Sequence, residues 1–152
     1  MALDAQNAGA DVQKDLRKPF ASRLNKTVDV SVILMVHGRS RVCHPTVTSI
    51  IRASEAGRQS GLGVEIIAAV NKNNVMALDY FSGRASEGIA VLESGSDTTD
   101  FCFNDCVTAA KGSHLAIIEN GDLVGRHWLR HAYFCAAGKH QKTLYYPEYV
   151  IC

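Results

Sequence analysis

Apolar and polar residues alternate along the chain in blocks short enough to be strands and helices. Val28–Val36 (Val-Asp-Val-Ser-Val-Ile-Leu-Met-Val) begins alternating and ends continuously apolar, the pattern of a strand covered on both faces. It gives way to a polar loop, His37-Gly38-Arg39-Ser40-Arg41. Pro45 then stands just inside a segment with Val47, Ile50, Ile51 and Ala53 at helical spacing. Proline suits the first turn of a helix, where the N–H it lacks has no helical partner anyway. Gly57–Gly63 carries three glycines and closes that helix. Val64–Val70 predicts a second strand, followed by polar Asn71-Lys72-Asn73-Asn74 and a short helical segment with Met76, Leu78 and Tyr80. Gly88–Leu92 predicts a third, weaker strand, Ser94–Asp100 a loop, and Phe101–Ala110 a helix with Gly112 as its stop. Leu115–Ile118 is a short apolar run with β-branched residues, the mark of a buried strand. Trp128–Ala137 is helical and Gly138 ends it; Thr143–Tyr146 and Tyr149–Cys152 read as strand fragments around Pro147.

Strands alternating with helices predict βαβ units, hence an α/β three-layer sandwich with a mainly parallel sheet and helices on both faces. Residues 1–27 stand apart. Val12, Leu16, Phe20 and Leu24 recur every four residues, as on one helical face, but Pro19 interrupts them. That stretch reads as a docking segment or a frayed polar leader, and 28–152 as the globular part.

Composition narrows the classes. The 152 residues suffice for one domain with its own core. Hydrophobic residues make up 47%, charged residues 20%, and the net charge is +1, without a basic stripe, so nucleic acid is not an expected partner. No apolar stretch is long enough to span a bilayer. Met1–Asn7 includes Asp4 and has no apolar signal core. The five cysteines form no CxxC pair, and without an export signal they read as reduced thiols of a cytoplasmic protein.

The polar turn Glu119-Asn120-Gly121-Asp122 is the most informative stretch. It places acidic groups at the carboxyl end of a strand, where open α/β sheets bind ligands. Two carboxylates there can hold a hard divalent cation, and the cation can hold a diphosphate. The plain alternative is a strand-to-helix turn whose Asp and Asn cap the next helix. His127 and His131, four apart and near Glu119 and Asp122, suggest zinc as another choice, but no third ligand has diagnostic spacing. Cys102 and Cys106 are also four apart, and nothing cationic beside them marks a reactive thiol. Ser31 and Ser113 lack the G-x-S-x-G setting of a hydrolase nucleophile. No G-x-G-x-x-G and no P-loop motif is present, so ordinary dinucleotide and P-loop readings fail.

In order, these segments resemble the family 2 glycosyltransferases. Val30-Ser31-Val32-Ile33-Leu34 looks like that family's opening strand, Pro45–Ala53 like its first helix and Val64-Glu65-Ile66-Ile67 like its second strand. Asn104, Ala109-Ala110-Lys111-Gly112, the strand ending in Glu119–Leu123, and Trp128-Leu129 look like the segment leading into its metal-binding acidic motif. The likeness spans roughly residues 28–148. It implies a GT-A-like, nucleotide-sugar-binding α/β sandwich. His37, Gly38, Arg39, Asn71, Asn104 and Glu119 would contact the nucleotide sugar, and Glu119 and Asp122 would hold Mg2+ or Mn2+.

The sequence departs from the family in four places. Asn71 falls near the position after the second strand where the family usually has an Asp. The acidic motif, usually Asp-x-Asp, is here Glu119-Asn120-Gly121-Asp122. Either Glu119 and Gly121 or Asn120 and Asp122 take the two acidic places. Phe103 precedes Asn104 where a basic residue is usual. The chain ends about where the acceptor-binding half would begin, and no residue of the matched segments stands out as the general base. Two functions follow as expectations. One is transfer of a sugar from a nucleotide diphosphate to an acceptor. The other is a non-catalytic binding or interaction module on the same fold. An open sheet edge would also make a homodimer natural.

Overall fold

The computed structural model describes residues 28–95 and 99–137. The expected leader at 1–27, the stop at Gly138 and the strand fragments within 143–152 lie outside the described residues. Among those described are strands β1 (Val30–Val36), β2 (Val64–Asn71), β3 (Ile89–Ser94) and β4 (His114–Glu119). The helices are α1 (His44–Gln59), α2 (Val75–Ser82), α3 (Thr99–Ala109) and α4 (Trp128–Ala136), with one 3-10 turn at Ala85–Glu87.

All strand pairs are parallel, and the sheet order is β3-β2-β1-β4. Right-handed crossovers explain the layering. From β1 to β2 to β3 the chain steps one way, which puts α1 and α2 on one face. From β3 to β4 it steps back past β2 and β1, which puts α3 on the other. The core records this division. Val30, Val32, Leu34 and Val36 of β1 pack with Val47 and Ile50 of α1, Ala77 and Phe81 of α2 and Leu129 of α4. Ile33 and Met35 pack with Ile67, Ala69, Cys106 and Ala110 beneath α3. The fold is therefore a Rossmann-like α/β/α sandwich, as the alternation of elements predicts. No helix among the described residues is long and apolar enough to cross a membrane.

All seven residues of β1 are buried, which its apolar run requires. β4 differs from its expected burial. Among the described residues it lies at the edge of the sheet, only Ile118 of its apolar run is buried, and Ile117 is 47% exposed. α3 packs mainly on β2, β3 and β1, and among the described residues only Leu115 of that face of β4 joins the cluster beneath it.

At the amino ends of the strands a polar clamp ties α3's exit to the sheet. The buried Ser31 hydroxyl donates to Glu65 Oε1 and accepts the Gly112 N–H at 2.8 Å. The Lys111 N–H donates to the same Glu65 oxygen at 2.6 Å. Gly112 thus serves close approach to β1 and is not the helix stop its position suggests; α3 ends at Ala109.

One buried hydroxyl is out of keeping with this economy. Ser54 in α1 is fully buried, and its Oγ has no hydrogen-bond partner among the described residues. Ser54→Ala removes a desolvated polar group and raises helix propensity. It is expected to stabilise the protein by about 1 kcal/mol. A higher urea midpoint with an unchanged slope would show it.

Candidate functional site

β1 and β4 are neighbours whose chain connections run in opposite directions across the sheet, so their carboxyl ends form the switch point of the order 3-2-1-4. In a doubly wound sheet the helices after two such strands leave to opposite faces and open a crevice between them. Here α1 and α4 pack on the same face. The loops after β1 and β4 are laced together.

The lacing uses side chains from three elements. Asn120, just past β4, accepts the Cys43 N–H on Oδ1 at 2.7 Å and donates Nδ2 to the Arg41 carbonyl at 2.8 Å. Thr46 and Ser49, on the first turns of α1, accept the N–H groups of Gly121 and Val124 at 3.0 and 3.2 Å. From the other side, Asn74 donates Nδ2 to the Gly38 and Ser40 carbonyls at 3.1 and 2.9 Å. Its Oδ1 accepts the Ala77 N–H and caps α2. The β1–α1 loop is thereby pinned by an asparagine on each flank. It contains a turn in which the Ser40 N–H donates to the His37 carbonyl.

The acidic turn closes on itself. The Asp122 N–H donates to the Glu119 carbonyl at 3.0 Å, and the Asp122 carboxylate faces the Glu119 N–H at 3.4 Å. Gly121 sits at φ +119°, a backbone state that excludes ordinary side chains. Glu119 and Asp122 share one turn. The Glu119 side chain is 70% exposed, and its Oε1 lies 3.9 Å from His37 Nε2. Glu119 follows the odd positions of β4 and so belongs to the α3 side, while Asn120 is turned toward the β1–α1 loop.

The other expected contact residues are distributed unevenly. Gly38 and Arg39 are exposed on the same rim. Asn71 is buried at the end of β2, and its Oδ1 accepts the Asn73 N–H at 2.7 Å. Asn104 is exposed midway along α3. His127 and His131 have ring centroids 6.3 Å apart on the surface at the start of α4. Among the described residues no three His, Cys, Asp or Glu side chains gather as a metal cage.

The start of α1 is already engaged. The Cys43 thiol is held below the ordinary cysteine value by hydrogen bonds from the side chain and then the backbone of Thr46. The Cys43 N–H is taken by Asn120. A glycine-rich phosphate cradle at the first helix is therefore replaced by side chains, in keeping with the missing G-x-G-x-x-G motif. Local pattern does not single out Asn74 and Asn120 as organising residues. The one local signal is the capping potential of Asn74 before an apolar helix.

Compared with known proteins, the chain matches no family model and no curated protein.

Proposed function

We propose that the chain is a glycosyltransferase-like domain that binds a nucleotide-diphosphate sugar through Mg2+ or Mn2+ and transfers the sugar to an acceptor. One observation supports this reading most. At the tips of β1 and β4 Asn120 is spent on the loop, whereas the Glu119 carboxylate is left exposed beside His37, with Asp122 in the same turn. A hard cation needs only one or two protein carboxylates when phosphate oxygens and water complete its shell. Glu119 and Asp122 fit that requirement. When bound, the ion supplies Lewis-acid neutralisation of the leaving diphosphate. Arg39, exposed on the same rim, presents a guanidinium fork suited to phosphate oxygens.

A second reading, a non-catalytic binding or interaction module, draws on Asn71. A neutral, buried side chain already bonded to Asn73 stands near the position where the family's base-contacting carboxylate is expected.

Thermal unfolding with UDP or GDP, with and without Mn2+, separates the two. At about 100-fold excess over Kd a ligand stabilises by about 2.7 kcal/mol. Such a shift with nucleotide and Mn2+ together, lost in Asp122→Ala and Glu119→Ala, is the expected result. No shift with any nucleotide would leave the binding-module reading.

A further inference from the structure

We propose that the rim at the carboxyl ends of the strands is a peripheral contact for an anionic phospholipid surface. Three loops form this rim, and hydrogen bonds hold them side by side. Asn74 joins the β2–α2 loop to the β1–α1 loop at the Gly38 and Ser40 carbonyls. Asn120 joins the β4–α4 loop to the Arg41 carbonyl and the Cys43 N–H. Large apolar side chains stand exposed on both flanks. Leu123 and Val75, 69% and 63% exposed, are the two most exposed large hydrophobic residues among those described, and Met76 beside Val75 is 52% exposed. α2 meets the core through Ala77 and Phe81 instead.

Between those flanks the charge is positive. Arg39 and Arg41 are exposed on the β1–α1 loop and Lys72 on the β2–α2 loop. Neither loop contains a carboxylate, and the first turns of α1 and α2 contain none either. The amino end of a helix ordinarily favours acidic residues. Here both helices present their positive ends with arginine or lysine nearby rather than carboxylate. The opposing groups are Glu119 and Asp122, with Arg126 exposed farther along the same loop. Charge and apolarity together select the occupant. The phosphate backbone of a nucleic acid would engage the cations but offers no partner for Leu123, Val75 and Met76. The headgroup layer of an anionic bilayer offers both, acidic groups for the basic side chains and an acyl boundary into which single apolar side chains can dip. Apolar residues set singly among cations suit a fluid surface that needs no complementary shape.

Vesicles of equal parts phosphatidylcholine and phosphatidylserine should carry the full chain down on sedimentation, and vesicles of phosphatidylcholine alone should not. Glu119 and Asp122 take no part, so the binding should need neither nucleotide nor Mn2+, and its failure would leave the nucleotide test above untouched. Added salt should weaken it. Arg41→Gln should weaken it about fivefold, the share of one basic side chain beside an anionic surface. Val75→Ser with Met76→Ser leaves every charge in place and should weaken it about tenfold. Val75→Glu with Met76→Glu should abolish it. Carboxylates in the first turn favour the helix, so the far-UV circular dichroism of that variant should match the wild type. Phe134→Glu, at an exposed position of α4, should bind as the wild type does. No binding to the phosphatidylserine vesicles would overturn the proposal. So would binding lost equally in Phe134→Glu, or binding that Val75→Ser with Met76→Ser leaves unchanged, which is the behaviour of a site for a polyanion such as a nucleic acid.

Discussion

Gly112→Ala is expected to be the most damaging single methyl group that can be added to this protein. A Cβ at 112 would lie 2.5 Å from the Ser31 nitrogen and 2.7 Å from both Ser31 Oγ and the Val30 carbonyl carbon. These are main-chain atoms and a buried hydroxyl, not the movable tip of a long side chain. Val30 and Ser31 cannot retreat, because β1 is paired with β2 on one side and β4 on the other. Overpacking of a core typically costs about 1–3 kcal/mol, and the rigid neighbours argue for the top of that range. Moving residue 112 away also withdraws its N–H from Ser31 Oγ, which adds about 1–3 kcal/mol for a buried group left without its partner. A loss of about 4 kcal/mol is a large part of the roughly 5–15 kcal/mol that holds a domain together. Urea denaturation should show a much lower midpoint or no folded baseline. Gly125→Ala, where a Cβ meets nothing within 4 Å, should stay within about 0.5 kcal/mol of the wild type.

The contrast between those two glycines marks the boundary of what a sequence discloses. The apolar run of β1 predicts a strand buried on both faces, and all seven of its residues are buried. Periodicity likewise places the four helices and the three-layer class, because one short stretch contains the whole signal. Gly112 looks like a helix stop for the same reason: its sequence neighbours are the end of a helix. Its actual partner, Ser31, is 81 positions away. The asparagines follow the same rule. Asn120 and Cys43 are separated by 77 positions, Asn74 and Ser40 by 34. Nothing local distinguishes an asparagine that spans two loops from one that decorates a turn. The edge position of β4 is hidden differently. Leu-Ala-Ile-Ile reads as buried because hydrophobic runs usually are. Whether a helix covers it depends on where α3 settles across the sheet, which is a property of connection order.

Asn120→Asp tests whether the acidic turn can take the Asp-x-Asp form of the glycosyltransferases it resembles without losing stability and with a gain in metal response, and it is expected to fail on both counts. The substitution puts carboxylates at positions 120 and 122 with almost no change in shape. The oxygen that accepts the Cys43 N–H is retained, but Nδ2 is replaced by an oxygen aimed at the Arg41 carbonyl 2.8 Å away. A donor is lost and two acceptors face each other, so stability should fall by about 2 kcal/mol, seen as a lower urea midpoint. Asn120→Ala, which also orphans the partly buried Cys43 N–H, should fall further. Nor should the added carboxylate strengthen any Mn2+-dependent stabilisation. Side chain 120 is committed to the β1–α1 loop, whereas Glu119 is exposed on the α3 side beside His37. The other alignment is closed as well. Position 121 has φ +119°, so Gly121→Asp would be strained whatever space surrounds it. Side chain 120 holds two loops together instead. A stronger Mn2+ response in Asn120→Asp than in the wild type would mean that the side chain can leave its bracket, and that the loops after β1 and β4 separate when the ion binds.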